Sequence, residues 1–257
     1  MKRVSIFVYG LVSYAIFFAT FLYAIGFVGN FFVPKAMDSV PQAPFGQALL
    51  VNICLLGIFA LQHSVMARPV FKRWWTGVIP AAAERSTYVL FSSLALILLF
   101  VLWEPMGGVV WQISNQTARI ALFAAAGFGW LLVLISTFLI NHFDLFGLRH
   151  VWLALRGKPY TPLKFGTPGL YKVVRHPLYL GWLFAFWATP TMTAAHLVFA
   201  VATTAYIFLA IVFEERDLMA AHPEYGRYRE RVPMIFPGRK RWRAQDAKTV
   251  QVSEASA

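Results

Sequence analysis

The sequence predicts an all-α, polytopic integral membrane protein: a helical bundle of four full spans plus a C-terminal helical hairpin, five to six membrane helices in all. Three observations carry this. Of the 257 residues, 59% are hydrophobic and only 13% charged, about half the charged share of a soluble domain. Several apolar runs reach the roughly 20 residues that a helix needs to cross a bilayer. The basic residues gather in alternate connections, as the positive-inside rule requires.

The first run, 6–28, follows Met1-Lys2-Arg3. It resembles a signal peptide, but it is long, lacks a small-residue cleavage site and is followed by further spans, so it is read as a retained helix. Runs 46–66, 86–103 and 118–140 supply the next three spans. The last apolar stretch, 178–213, is too long for one span and short for two. Thr189-Pro190-Thr191 interrupts it, which predicts a tight helical hairpin with a short first arm. The chain divides into an N-terminal bundle, 1–168, a hairpin with its following polar segment, 169–243, and a polar tail, 244–257. Cys54 is expected as a small buried hydrophobe, and no intramolecular disulfide can form.

Of the 23 Lys and Arg, all but Lys35 and Arg119 fall on one side of the predicted bundle, which places both termini in the cytoplasm. The net charge of +12 follows from this bias and from anionic headgroups. Membrane lipids are therefore expected partners. No soluble basic module with base-reading groups is present, so nucleic acid is not. Nothing in the sequence signals an oligomeric state.

Ionisable groups crowd the same side. Seven of the eleven acids follow Phe213, and His63, His142, His150, His176 and His222 all lie towards the cytoplasmic helix ends, whereas His196, Asp38 and Glu104 lie opposite. Polar groups at membrane depth mark function by default. In Asn141-His142-Phe143-Asp144-Leu145-Phe146-Gly147-Leu148-Arg149-His150, a continuous helix would put His142, Phe146 and Arg149 on one face and Asp144 opposite. A His142–Asp144 pair requires the helix to end, and Gly147 allows that. His142, Asp144 and His150 match no recognised ligand spacing, so no metal is expected. His63, deep in the second run, needs a partner or must stay neutral.

The hairpin begins Arg175-His176-Pro177-Leu178-Tyr179-Leu180-Gly181. Pro177 suits the first turn of a helix, whose positive end accepts anionic groups. Glu214-Glu215 ends the return arm. The site offers cations to a carboxylate, carboxylates to an ammonium or hydroxyls, and the faces of Tyr171, Tyr179, Trp182, Tyr225 and Tyr228 to a cation or purine. An interfacial Arg–Glu network with belt aromatics would read the same way.

Arg-His-Pro-x-Tyr-x-Gly, then Glu-Glu, Tyr-x-x-Tyr and Val232-Pro233, resembles the isoprenylcysteine carboxyl methyltransferase and phospholipid methyltransferase superfamily over about residues 169–237. Gln62-His63-Ser64-Val65-Met66-Ala67-Arg68, Glu84-Arg85-Ser86-Thr87-Tyr88-Val89 and the Asn141–Leu148 segment are similar to its nurim-related branch, and within it to the bacterial methanethiol S-methyltransferases. The resemblance implies S-adenosylmethionine as methyl donor, a small thiol as acceptor, dimethyl sulfide as product and a bacterial inner membrane location. It implies donor contacts at Arg175, His176, Pro177, Tyr179, Gly181, Glu214, Glu215, Tyr225 and Tyr228. On the acceptor side it implies Gln62, Ser64, Glu84, Arg85 and Phe146, formed by the N-terminal bundle. A thiol must ionise to attack, so a base is expected: His142 first, supported by Asp144, and His63 second. Other readings on the same scaffold are a lipid or prenylcysteine acceptor and a non-catalytic nurim-like membrane protein. A nicotinamide-dependent sterol reductase would need a dinucleotide site, and no Gly-x-Gly-x-x-Gly is present.

Overall fold

The computed structural model describes residues 2–238; the predicted tail 244–257 lies outside them. Five helices are long and apolar enough to cross a membrane: α1 (Lys2–Gly29), α2 (Phe45–Ala67), α4 (Ala81–Leu102), α5 (Gln116–Ile140) and α9 (Ala194–Ala221). Between them lie the short helices α3 (Pro69–Trp75), α6 (His142–Leu145), α7 (Leu148–Leu155) and α8 (Pro177–Trp187), and α10 (Tyr225–Arg231) follows α9. Bulky apolar side chains such as Leu50, Leu61, Val101, Ile120 and Val212 stand exposed along the long helices. A water-soluble monomer rarely shows so much continuous apolar surface. The molecule is an all-α integral membrane protein.

Three differences from the sequence reading stand out. The third long helix starts at Ala81, so Glu84 and Arg85 lie in its first turns. The turn between α8 and α9 is no tight helical reversal: strand β2 (Thr191–Thr193) pairs antiparallel with β1 (Val109–Gln112), with Trp111 opposite Met192. Backbone groups freed by Pro190 thus find partners in a ribbon. Cys54 is exposed on α2 rather than buried, because Asn52 and Leu55 take the inward face.

With 11 residues, α8 spans about 16 Å at 1.5 Å per residue, roughly half a bilayer. It runs along α5, where Gly181 meets the Gly129 carbonyl and the Val133 amide. Trp187 Nε1 donates to Thr204 Oγ1 at 2.9 Å and ties α8 to α9. The largest apolar cluster, with Phe27, Phe100, Trp103, Phe186 and Phe199, fills the end of the bundle nearest the ribbon. There Asn52 exchanges two hydrogen bonds with the Glu104 backbone. Thr193 donates to Asp38, and His196 Nε2 lies 2.8 Å from the Phe186 carbonyl. Towards the opposite end lie Arg175, His176, Glu214 and Glu215, linked across α8 and α9.

Candidate active site

The junction of α8, α9 and α10 is held by a polar network. Pro177 opens α8 at its first position, leaving Arg175 and His176 just before the helix. The Arg175 and His176 amides donate to the carbonyls of Pro233 and Met234, which folds the C-terminal segment back onto the hairpin. Arg175 Nε lies 2.8 Å from Glu215 Oε1, a contact of charges without an aligned N–H. Its Nη1 donates to the carbonyls of Arg229 at 2.6 Å and Val232 at 3.0 Å. His176 Nε2 is 3.1 Å from Glu215 Oε1. Tyr179 donates to Glu214 Oε2 at 2.9 Å, and Arg229 Nε approaches Glu215 Oε2 at 3.4 Å.

Aromatic rings close over this network. Tyr225 and Tyr228 pack edge to face, and both meet Phe165. Phe165 also lies against His222. Tyr228 donates to the Tyr171 carbonyl at 2.6 Å. Burial pushes the Tyr228 phenol up to about 12. Burial also raises the Tyr171 and Tyr225 phenols, with nearby carboxylates adding to it. All three are neutral donors near pH 7. The Tyr225 hydroxyl is fully enclosed beside the Glu215 carboxylate.

The geometry gathers Arg175, His176, Pro177, Tyr179, Glu214, Glu215, Tyr225 and Tyr228 in one place, but two expected roles change. Arg175 is directed at backbone carbonyls and Glu215, not at an open anion site. Gly181, expected to touch a donor, faces α5: a Cβ there would stand 2.8 Å from the Gly129 carbonyl oxygen.

A second group of residues lies between α1, α2, α4 and α6. Helix α5 stops at Ile140, the Asn141 side chain accepts from the Asp144 amide, and α6 makes a single turn. Gly147 follows at φ +86°, a conformation that an L side chain resists, and Ser86 leaves no room for a Cβ there. This break turns His142 inward, where it is buried. Its Nε2 is 2.8 Å from the Tyr14 hydroxyl and its Nδ1 is 2.8 Å from Thr137 Oγ1. Burial holds the imidazole below the ordinary histidine value. Phe146 stacks on Phe17 at 3.9 Å and packs against His142 at 4.8 Å.

Asp144 does not support His142. The helix break turns it to the other side, where Oδ1 accepts from Arg149 at 2.8 Å and Oδ2 from Tyr160 at 3.2 Å. His150, 3.7 Å from Asp144, stacks on Tyr160, and its imidazole is held down by burial. Asp144 thus anchors the segment after α7, which Arg149 also grips through Thr161. Among the described residues no group of three or more metal-ligating side chains forms.

His63 sits one helix away, with Nε2 2.8 Å from the Tyr88 hydroxyl and Nδ1 3.1 Å from Ser92 Oγ. Tyr88 joins Met66, Phe17 and Phe146 in one apolar cluster, so the His63 and His142 groups share a wall. Ser64 Oγ meets the Tyr206 hydroxyl at 3.0 Å, tying α2 to α9. Gln62 Nε2 reaches Met66 Sδ at 3.1 Å, while its Oε1 is buried without a partner among the described residues. Arg85 donates to the Leu145 carbonyl at 2.7 Å and lies over the Tyr88 ring. Glu84 is in the first turn of α4 and only partly buried.

Residues unmarked by sequence reasoning complete both groups: Tyr14, Thr137, Ser92 and Tyr206 on one side, Phe165 and Arg229 on the other. The two sides approach each other. Tyr171 donates to the carbonyl of Ser136, the neighbour of Thr137. Trp182, one turn from Tyr179, meets the Phe21 ring of α1 at 6.4 Å. Tyr206 lies about two turns before Glu214 on the same helix.

No family model matches the chain, and no solved structure matches it. Curated proteins do. A methanethiol S-methyltransferase of Crocosphaera subtropica is 56% identical over 238 residues, covering 92% of this chain and 93% of the relative. One of Mycobacterium tuberculosis is 55% identical over 238 residues, 92% of this chain and 98% of the relative. Nurim of Rattus norvegicus is 31% identical over 180 residues, 66% of this chain and 68% of the relative. Identity of this degree along nearly the whole length makes the chain a member of the methanethiol S-methyltransferase family.

Proposed function

We propose that this chain transfers the methyl group of S-adenosylmethionine to the sulfur of methanethiol, or of a thiol of similar size, giving dimethyl sulfide and S-adenosylhomocysteine. The observation that carries the reading is 56% identity over 92% of the chain to a protein named for that activity.

The residues around α8–α10 fit such a donor. Glu214, with its side chain 45% exposed, offers a carboxylate to an ammonium or to ribose hydroxyls. The rings of Phe165, Tyr225 and Tyr228 suit a purine or a sulfonium. When bound, the donor supplies a methyl on a positively charged sulfur with a good leaving group. The chain's task is then to position the acceptor and take its proton. His142 is neutral at physiological pH and fits that role, with His63 second. Phe17, Phe146 and Tyr88 wall the acceptor side with apolar surface, which suits a small thiol and excludes water. The basic bias of the connections supports a cytoplasmic orientation for this end of the bundle, and the bacterial relatives support an inner-membrane location.

Purified protein in detergent, given methyl-labelled S-adenosylmethionine, is expected to release a volatile labelled product with methanethiol. Larger thiols, a phospholipid amine and a prenylcysteine serve as competitors. Label appearing in lipid or prenylcysteine would make that the acceptor instead. Absence of donor binding by calorimetry would leave a nurim-like membrane protein without catalysis.

A further inference from the structure

We propose that Tyr14 is a proton relay standing between the acceptor thiol and His142, an assignment that rests on the functional reading above. Thr137 Oγ1 donates its single proton to the Leu134 carbonyl at 2.7 Å, so towards His142 it can only accept. The 2.8 Å contact at Nδ1 is therefore an Nδ1–H donated to Thr137. A neutral imidazole with Nδ1 protonated has its lone pair on Nε2. The Tyr14 hydroxyl, 2.8 Å away, is then the donor to Nε2.

This arrangement has a consequence for the base. The lone pair of His142 is capped by Tyr14 and does not face a substrate directly. What remains open to accept a proton is the Tyr14 oxygen. Its ring is half-buried and stands beside Phe17, Phe18 and Phe146, a set of apolar faces suited to a methyl-sized thiol. The groups packed against His142 are Tyr14 from α1, Thr137 and Phe138 from α5, and Phe143 and Phe146 beside its own turn. None carries a charge at neutral pH.

The balance closes without an isolated thiolate. The thiol sulfur forms its new bond to the methyl carbon, and the electron pair of the broken carbon–sulfur bond stays on the leaving sulfide. The thiol's S–H breaks as its proton joins the Tyr14 oxygen, while the Tyr14 proton passes to His142 Nε2. One positive charge vanishes at the sulfonium and one appears on the imidazole, which then returns a proton to water. In an apolar site, moving a charge costs less than creating a separated pair.

The test uses whole protein in detergent. Nitrogen-15 histidine NMR, with His142→Gln for assignment, is expected to show the Nδ1–H tautomer at His142 and a shifted Nε2 signal in Tyr14→Phe. Tyr14→Phe should lower kcat for methanethiol by about 10²-fold or more, with KM and calorimetric donor affinity little changed. The loss should shrink with trifluoroethanethiol, which ionises without help, and with methanethiol as the pH rises. An Nε2–H tautomer overturns the relay. So does an equal loss at every pH and with both thiols, the mark of a structural role. If His142→Gln keeps full activity, the base assignment falls and the relay with it. If the wild type methylates neither thiol, the functional reading itself fails.

Discussion

Arg175 and Glu215 form a buried ion pair, 2.8 Å apart with side chains 6% and 10% exposed, that locks the C-terminal segment onto the hairpin. The same guanidinium reaches the carbonyls of Arg229 and Val232, and the adjoining backbone pairs with Pro233 and Met234. Removing one partner of a buried pair costs up to about 3–5 kcal/mol, lessened here because His176 and Arg229 also reach Glu215. Arg175→Ala should therefore lower the thermal midpoint and expose residues 224–238 to trypsin, even without ligand. Arg175→Lys should rescue little, since one ammonium cannot match the fork of guanidinium donors. An unchanged melting curve in Arg175→Ala would show that the strap is not held this way.

Glu214 should behave in the opposite manner. Its carboxylate takes one hydrogen bond, from Tyr179, and is otherwise half open. Glu214→Gln keeps the size and loses the charge, so stability should hardly move. A lost charge-assisted hydrogen bond is worth about 1.5–3 kcal/mol, which predicts donor affinity weaker by roughly 10- to 100-fold. Calorimetry with S-adenosylmethionine checks it. A drop in melting temperature with intact affinity would assign Glu214 to the scaffold.

Gly181 is a packing position. A Cβ there would lie 2.8 Å from both the Gly129 carbonyl oxygen and the Val133 amide nitrogen, and backbone atoms cannot swing aside. Gly181→Ala should push α8 off α5 and cost about 1–3 kcal/mol, the usual penalty of overpacking. Gly129→Ala, blocked by the Gly181 carbonyl and the Ala185 amide, should do the same. The double variant should lose less than the sum, because α8 has already moved. Thermal unfolding of the three proteins decides it.

The long helices were legible because crossing a bilayer is a demand on local composition: runs 46–66 and 118–140 became Phe45–Ala67 and Gln116–Ile140. The ribbon was not, since Val109–Gln112 is too short to announce itself and its partner lies some 80 residues on. The Arg-His-Pro and Glu-Glu clusters could be read because charges beside apolar helices are costly. That Arg175 serves carbonyls could not be read, since every residue offers a carbonyl. Tyr14 was hidden for a related reason. It is one of three tyrosines in the first span, and only the fold distinguishes it by bringing His142 to it from 128 positions away.

The pH profile should report the burial of His142. An imidazole has an ordinary pKa of about 6.5, and burial lowers that of His142 because the charged form loses hydration. No carboxylate offsets the shift, since Asp144 is turned to Arg149 and Tyr160. A base works only when deprotonated, so activity should rise through the His142 pKa and persist below pH 6.5, where an exposed histidine would already be half protonated. The sign for stability is the same. With the folded pKa depressed, the unfolded chain binds more protons in that window, and stability falls as pH drops through it. Two measurements check this: the acid limb of kcat/KM for methanethiol, and the melting temperature of wild type against His142→Gln between pH 5 and 7. The wild type should lose more melting temperature than the variant as the medium is acidified. Parallel melting curves, or an acid limb above pH 6.5, would place the titrating base elsewhere.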